Sequence, residues 1–305
     1  MKNITLNAYA LTPVSSRRLD TQSFARILTR LRSAKVDCIG ILGSTGCGHY
    51  FCVEQRKTIL EQALIYAEGA DVLVGVSASN TYDVLTLAEH AQKRGAASLL
   101  VAPSSYHPLS EDEVLRFYQQ VTANTSIPIC IYENTLTTQF SFSLQLLAEL
   151  TDLPYIGALK ISSFRHGSVT RSDWIRALKS TINPEITIGL SGDPYFASAL
   201  TPDIGAWHSV IAGIFPEICV SIVSALKVGQ LDRANSYQKL LNPLLELYKT
   251  KAGSVRVTAT AAEALTLCHS DSLPLPLEGI SGFDRVAIES AIEHIRKGQQ
   301  DLLIG

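Results

Sequence analysis

The feature that most restricts the fold of this 305-residue chain is a repeated alternation of short apolar segments with segments of helical periodicity. Short apolar runs are typical of buried strands, and strands that alternate with helices form parallel sheets. Eight repeats favour a sheet that closes into a barrel over an open sheet. The predicted strands are Ala8–Leu11, Cys38–Leu42, Val72–Val76, Ser98–Val101, Pro128–Tyr132, Tyr155–Ile161, Glu185–Gly189 and His208–Ile211.

The helical segments carry recognisable signals at their ends. Asn80 with Asp83, and Ser110 with Glu113, place a capping side chain three residues before an acid, which predicts helix starts at these points. Gly95 follows one of the periodic segments and predicts its end. The predicted helices are Val53–Glu68, Thr81–Arg94, one opened by Ser110, Phe142–Leu150 and Val169–Ser180.

The pattern changes beyond Gly229, because three helical segments then follow one another with no strand between them. They are Asp232–Lys251, Ser254–Cys268 and Phe283–Lys297. We therefore predict an α/β fold with a (β/α)8 TIM barrel over residues 1–229 and a C-terminal three-helix extension over residues 230–305. No low-complexity linker separates the two parts, so we expect them to pack together.

Composition and charge exclude several classes of function. The formal net charge is −2 and the chain has no block of lysine and arginine, which argues against a nucleic-acid-binding protein. The longest apolar stretch, Val210 to Leu226, is interrupted by Pro216 and Glu217, so no membrane span is predicted. The N-terminus turns polar too soon for a signal peptide. The six cysteines lack zinc-ligand or redox spacing, so we expect a reduced, cytoplasmic protein.

Lys160 is the first candidate for a catalytic residue. It lies in the apolar segment Tyr155–Ile161, where the predicted strand is buried. Burial disfavours the charged form of an amine, and a neutral amine can attack a carbonyl to form an imine. The alternative interpretation is a side chain that reaches solvent from the strand end. Taken alone, the position does not decide between them.

Two further features follow predicted strands and favour the catalytic interpretation. The turn Gly43-Ser44-Thr45-Gly46 offers hydroxyl and backbone donors that suit a carboxylate, although tight loops often have this composition. Tyr132 ends the fifth strand, where a phenol can relay protons or simply pack. Because the active site of such a barrel lies at the C-terminal ends of its strands, we predict that these residues and Lys160 lie at the same face of the barrel.

The order and spacing of these residues resemble the pyruvate-dependent aldolases, the family that includes dihydrodipicolinate synthase and N-acetylneuraminate lyase. The matching positions are Leu11-Thr12-Pro13, Gly43-Ser44-Thr45-Gly46, Glu54, Arg56, Lys57, Ala102-Pro103, Tyr132, Lys160 and Ser191-Gly192-Asp193. The resemblance implies an eight-stranded α/β barrel with three C-terminal helices, assembled as a homotetramer or homodimer. It implies neither a metal nor a separate cofactor.

The resemblance also implies roles for individual residues. Lys160 matches the lysine that condenses with the ketone of pyruvate or another 2-oxo acid. Tyr132 matches the tyrosine that shuttles protons near the imine. The positions expected to bind substrate are Ser44 and Thr45 for the keto-acid carboxylate, together with Ser162 and Ser191.

Several positions depart from the family pattern. Cys47 stands where a glutamate is usual, and Ser104 and Ser105 stand where the synthase has paired tyrosines. Thr137 stands where the synthase has an arginine that binds the far carboxylate of its aldehyde substrate. These departures disfavour the lysine-biosynthetic reaction and favour a hydroxylated aldehyde as the partner substrate.

Three functions remain open from the sequence. The first is an imine-forming aldolase or lyase that acts on a 2-oxo acid. The second is a sugar-acid dehydratase or hydrolase that uses the same lysine, because this fold hosts several reactions. The third is a barrel that binds a keto acid without turnover. In each case we expect the loops Glu133–Gln139 and Asp193–Leu200 to line the pocket mouth.

Overall fold

Eight parallel strands close into a barrel, which confirms the predicted (β/α)8 fold. The structure is a computed structural model that describes residues 4–162, 170–196, 203–250 and 253–304. Each strand pairs in parallel with its neighbours, and the pairing of the first with the eighth closes the ring. The strands are β1 Thr5–Tyr9, β2 Cys38–Ile41, β3 Val72–Gly75, β4 Ser98–Val101, β5 Ile129–Glu133, β6 Ile156–Ile161, β7 Thr187–Ser191 and β8 Ile204–Ser209.

Helices surround the barrel, and the two predicted capping signals are confirmed. The Asn80 side chain accepts a hydrogen bond from the backbone N–H of Asp83 at 2.9 Å. The Ser110 hydroxyl accepts one from Glu113 N, and a carboxylate oxygen of Glu113 accepts one from Ser110 N at 2.7 Å. The surrounding helices are α1 Thr21–Ser33, α2 Val53–Ala67, α3 Thr81–Arg94, α4 Glu111–Ala123, α5 Leu144–Thr151, α6 Arg171–Thr181 and α7 Pro216–Lys227. The predicted start of α6 at Val169 lies outside the described residues.

Three C-terminal helices pack on the barrel as predicted. They are α8 Leu231–Tyr248, α9 Gly253–Ala264 and α10 Gly282–Ile304. Leu241 and Leu244 of α8 are fully buried in the same hydrophobic core as the strands. The hydroxyls of Tyr248 and Thr258 lie 2.6 Å apart, which joins α8 to α9. None of the described helices is long and apolar enough to span a membrane. The division of the chain at Gly229 stays a prediction.

The bounds of three strands differ from the prediction by two residues or more, and those of β2, β3, β5 and β6 differ by one residue. β1 lies three residues earlier than expected, β7 lies two residues later, and β8 begins at Ile204 instead of His208. β8 ends at Ser209 because the next two backbone N–H groups, of Val210 and Ile211, donate to the Asp193 carboxylate at 2.9 and 2.8 Å. The end of β8 is therefore set by a contact between residues 17 positions apart in the chain. The pattern of apolar residues does not contain this information.

Candidate active site

Lys160 is buried inside the barrel near the C-terminal end of β6. Its side chain is 4% exposed, so the alternative of a solvent-exposed lysine is wrong. The ammonium nitrogen Nζ lies 3.9 Å from the ring centroid of Tyr9 and 4.0 Å from that of Tyr132. Among the described residues, no carboxylate forms an ion pair with it. Two aromatic faces thus provide the electrostatic surroundings of this amine.

The hydroxyl of Tyr132 is held by its neighbours. Asn134 donates a hydrogen bond from Nδ2 to the phenol oxygen at 2.8 Å, and the hydroxyl of Ser44 lies 3.4 Å away. Tyr132 is also the register partner of Lys160 on the adjacent strand. Because the phenol oxygen accepts from the amide, its own proton is available to Ser44 or to a ligand. The structure therefore brings Lys160, Tyr132 and Ser44 together, as predicted.

A cavity of about 560 Å³ opens at this end of the barrel. Its described lining contains many hydroxyl groups and no aspartate or glutamate. The lining includes Ser44, His49, Ser77, Ser79, Ser104, Ser105, Tyr132, Thr137, Thr138 and Arg256. Lys160 is not one of the lining residues and lies directly against the Tyr132 ring. A larger cavity of about 950 Å³ lies between the C-terminal helices and a small antiparallel pair of strands, Val14–Ser15 with Arg18–Leu19. It contains none of the predicted site residues, so we assign the site to the smaller cavity.

Three predicted substrate-binding residues lie near this cavity without lining it. Thr45 is buried, and its carbonyl faces the thiol of Cys47 at 3.8 Å. Ser162 donates from its hydroxyl and from its backbone N–H to the carbonyl of Glu133, at 2.8 and 3.1 Å, and so joins the ends of β5 and β6. Ser191 is buried at the end of β7. Their roles in substrate binding stay predictions.

Of the two segments predicted to line the pocket mouth, the structure places residues of the first at the cavity. Thr137 and Thr138 line the cavity, and they belong to a four-residue helix, Thr135–Thr138, in the segment after β5. Of the second loop, residues 197–200 lie outside the described residues. Asp193 at its start is a structural anchor, because it is buried and accepts hydrogen bonds from Trp207 Nε1 and from two backbone N–H groups at the end of β8. Burial raises the pKa of Asp193 to about 6, and these hydrogen bonds act in the opposite direction.

Sequence reasoning missed two residues beside Lys160. The hydroxyl of Tyr9 lies 3.0 Å from Nδ1 of His208, and both side chains are fully buried. A Cβ atom on Gly189 would lie 2.4 Å from Nε2 of His208, so the glycine provides the space that the imidazole ring occupies. Gly189 is also the register partner of Lys160, which places His208 close to the amine.

These two groups are held in their neutral forms. Burial, and then the nearby charge of Lys160, lower the pKa of His208 well below its ordinary value. Burial also raises the pKa of Tyr9 well above its ordinary value. Asn7 and Tyr9 are two residues apart and therefore lie on the same, inward face of β1. This spacing is the sequence signal that would have indicated the cluster.

The sequence of this chain is similar to known proteins of one family. The sequence model described as the dihydrodipicolinate synthetase family matches residues 6–295. A 4-hydroxy-tetrahydrodipicolinate synthase of Rickettsia typhi is 25% identical over 283 residues, which cover 92% of this chain and 94% of that protein. An uncharacterised DapA-like lyase of Halobacterium salinarum is 28% identical over 277 residues, covering 89% of this chain and 87% of that protein.

A solved structure of a protein with the same family name is also similar to this chain. The crystal structure of a dihydrodipicolinate synthase from Agrobacterium tumefaciens superimposes with a TM-score of 0.90 and 32% sequence identity. The superposition covers 96% of this chain and 98% of that one. The similarity therefore extends over the barrel and the C-terminal helices together.

Proposed function

Because the chain belongs to the dihydrodipicolinate synthetase family, we propose that it is an aldolase or lyase that forms a Schiff base with pyruvate or another 2-oxo acid. The proposed nucleophile is Lys160. The proposed proton carrier is Tyr132, and the proposed seat of the keto-acid carboxylate is the turn that contains Ser44 and Thr45. The proposed second substrate, or product, is a hydroxylated aldehyde.

The observation that carries this proposal is a buried amine that pairs with no carboxylate of the described residues. Because no ion pair with a described carboxylate has to be broken first, Nζ of Lys160 is available to attack a ketone at this site. Attack of Nζ on the ketone carbon, followed by loss of water, forms a protonated imine. That cation remains between the faces of Tyr9 and Tyr132, where a desolvated cation–π contact contributes about 2 kcal/mol.

The imine then acts as an electron sink. In the cleavage direction, the electron pair of the breaking carbon–carbon bond moves toward the iminium carbon and leaves an enamine, while the hydroxyl proton of the leaving aldehyde is taken up by a base. Tyr132 is placed for this transfer, because its phenol gives its proton to the hydroxide lost in imine formation, and the resulting phenolate takes up the hydroxyl proton of the aldehyde. Its oxygen is fixed by Asn134 and approaches Ser44 in the cavity wall. In the condensation direction the same groups act in reverse.

The cavity supports a hydroxylated aldehyde as partner. Six serine and threonine side chains line it besides Ser44, and they provide donors and acceptors for a polyol chain. They are Ser77, Ser79, Ser104, Ser105, Thr137 and Thr138. We further propose that the protein is cytoplasmic and forms a homotetramer or homodimer. Tyr106 lines the cavity, and its side chain is 87% exposed, so a second copy of the chain can pack against this ring.

Borohydride trapping tests the proposed function. Borohydride reduces an imine to a stable secondary amine, so incubation with pyruvate and borohydride is expected to attach the keto acid covalently to Lys160. Proteolysis and mass spectrometry locate the modified peptide. Incubation with borohydride alone is the control. Absence of the adduct at millimolar pyruvate would contradict the imine mechanism and favour a barrel that only binds keto acids.

We predict negligible condensation of pyruvate with aspartate semialdehyde. The described cavity lining has no acidic side chain to accept the ammonium group that lies beside the far carboxylate of this substrate, so the zwitterion is bound poorly whichever cation meets the carboxylate. Thr137 also lacks the paired donors of the synthase arginine. A coupled assay should compare the semialdehyde with glyceraldehyde at matched concentrations. A semialdehyde rate within about tenfold of the glyceraldehyde rate, a difference of only about 1.4 kcal/mol, would contradict this prediction.

A further inference from the structure

Arg256, which lines the cavity, differs from most other buried or half-buried lysines and arginines in its lack of a described partner. Among the side chains that the structure describes, nine lysines and arginines are buried or half-buried. Seven of them contact a carboxylate or a backbone carbonyl, namely Arg30, Arg32, Arg56, Lys57, Lys179, Lys227 and Arg285. The remaining two, Lys160 and Arg256, have no ionic or hydrogen-bonded partner within the described part of the chain.

Arg256 lines this cavity but does not belong to the barrel. It belongs to the first turn of α9, in the C-terminal extension, whereas Ser44 and Tyr132 come from strand ends. Its charge reaches the turn that follows β2, since it lowers the pKa of Cys47 against the larger effect of burial, which raises that pKa to about 12. The guanidinium group thus borders the same space as the proposed keto-acid seat.

No other group in the described cavity wall compensates this charge. The part of the wall that the structure describes contains no aspartate or glutamate. Its only described histidine is His49, whose pKa is lowered by burial and by Arg56, so this ring is neutral near pH 7. A half-buried guanidinium without a counter-ion loses solvation that a bound anion would replace with charge-assisted hydrogen bonds.

We propose that Arg256 binds a carboxylate or phosphate at the end of the aldehyde substrate far from its carbonyl. This inference rests on the proposed function and specifies its substrate class as an anionic, hydroxylated aldehyde. The cavity of about 560 Å³ is in the size range that holds drug-sized ligands, so it has room for more than a three-carbon keto acid. The far anion then lies at α9 while the carbonyl faces Tyr132.

The test compares anionic and neutral aldehydes as partners of pyruvate. The probes are glyceraldehyde 3-phosphate and glucuronate, which carry a far phosphate and a far carboxylate, and neutral glyceraldehyde. For R256Q we expect kcat/KM to fall about 10- to 100-fold with the better anionic probe, as for loss of a hydrogen bond to a charged group, and to change less than about twofold with glyceraldehyde. R256K should retain part of the preference, because it keeps the charge and loses the planar fork. Arg116→Gln, which removes the same charge from an exposed site on α4, is the matched control.

Binding separates failure of this inference from failure of the proposed function. Calorimetry with glyceraldehyde 3-phosphate and with glucuronate, in the absence of pyruvate, needs no imine. Weaker binding of either probe by R256Q than by the unmodified protein and Arg116→Gln supports the inference even if borohydride traps nothing. Equal binding of both probes by the unmodified protein and R256Q, or an equal loss of kcat/KM with anionic and neutral aldehydes, would overturn it.

Discussion

Replacing Lys160 with alanine or arginine is expected to abolish the covalent adduct with pyruvate and to reduce turnover to background. Alanine removes the nucleophile. Arginine keeps a long cationic side chain between Tyr9 and Tyr132 but stays protonated, so it cannot attack a carbonyl. Borohydride trapping followed by mass spectrometry measures the adduct, and a coupled assay measures turnover. Because every later step needs the imine, loss of this amine should have the largest effect of any single substitution at the site.

Two controls keep this prediction specific. Lys227→Ala removes a half-buried lysine that pairs with Asp37 at 3.5 Å, outside the cavity lining, and it should leave trapping unchanged. Circular dichroism and thermal unfolding should show that the Lys160 variants remain folded, because neither substitution breaks an ion pair of the described residues. Turnover retained by a folded Lys160 variant would exclude the imine mechanism.

Tyr132→Phe is expected to preserve the pyruvate adduct while turnover falls by about 10²–10⁴, the usual contribution of a positioned proton-transfer group. The ring that faces Lys160 remains in this variant, so the surroundings of the imine change little. Only the hydroxyl that Asn134 holds and that approaches Ser44 is lost. Single-turnover measurements should therefore separate an intact imine-forming step from a slow proton-transfer step.

Tyr118→Phe is the matched control for this effect. Tyr118 is also fully buried and donates a hydrogen bond to the carbonyl of Val101 at 2.8 Å, but it does not line the cavity. Its loss should lower the free energy of unfolding by about 1–3 kcal/mol, because a buried acceptor is left unpaired, without a comparable loss of rate. Equal rates for Tyr132→Phe and the unmodified protein would assign Tyr132 a packing role.

Helix starts are predicted more accurately than the starts of the two strands that close the barrel. The capping residues Asn80 and Ser110 act at the predicted positions, since a cap depends on residues three positions apart. The predicted start of β8 is wrong by four residues and that of β1 by three. In both strands polar residues that face the barrel interior, such as Asn7 and His208, interrupt the apolar run on which the prediction relies.

The sequence by itself determined the class of fold, the face of the barrel at which Lys160, Tyr132 and Ser44 meet, and the family. These features follow from period, order and local spacing, which are properties of neighbouring residues. Only the tertiary structure decided what surrounds the amine. Tyr9 and His208 are 199 residues apart and meet because β1 closes the ring against β8. Arg256 of α9 lines the same cavity as residues from the strand ends, although it is more than 100 residues from Tyr132 in the chain. Both contacts depend on strand register and helix packing. The inward face of β1 could have indicated Tyr9, but no local pattern records which distant residue a side chain meets.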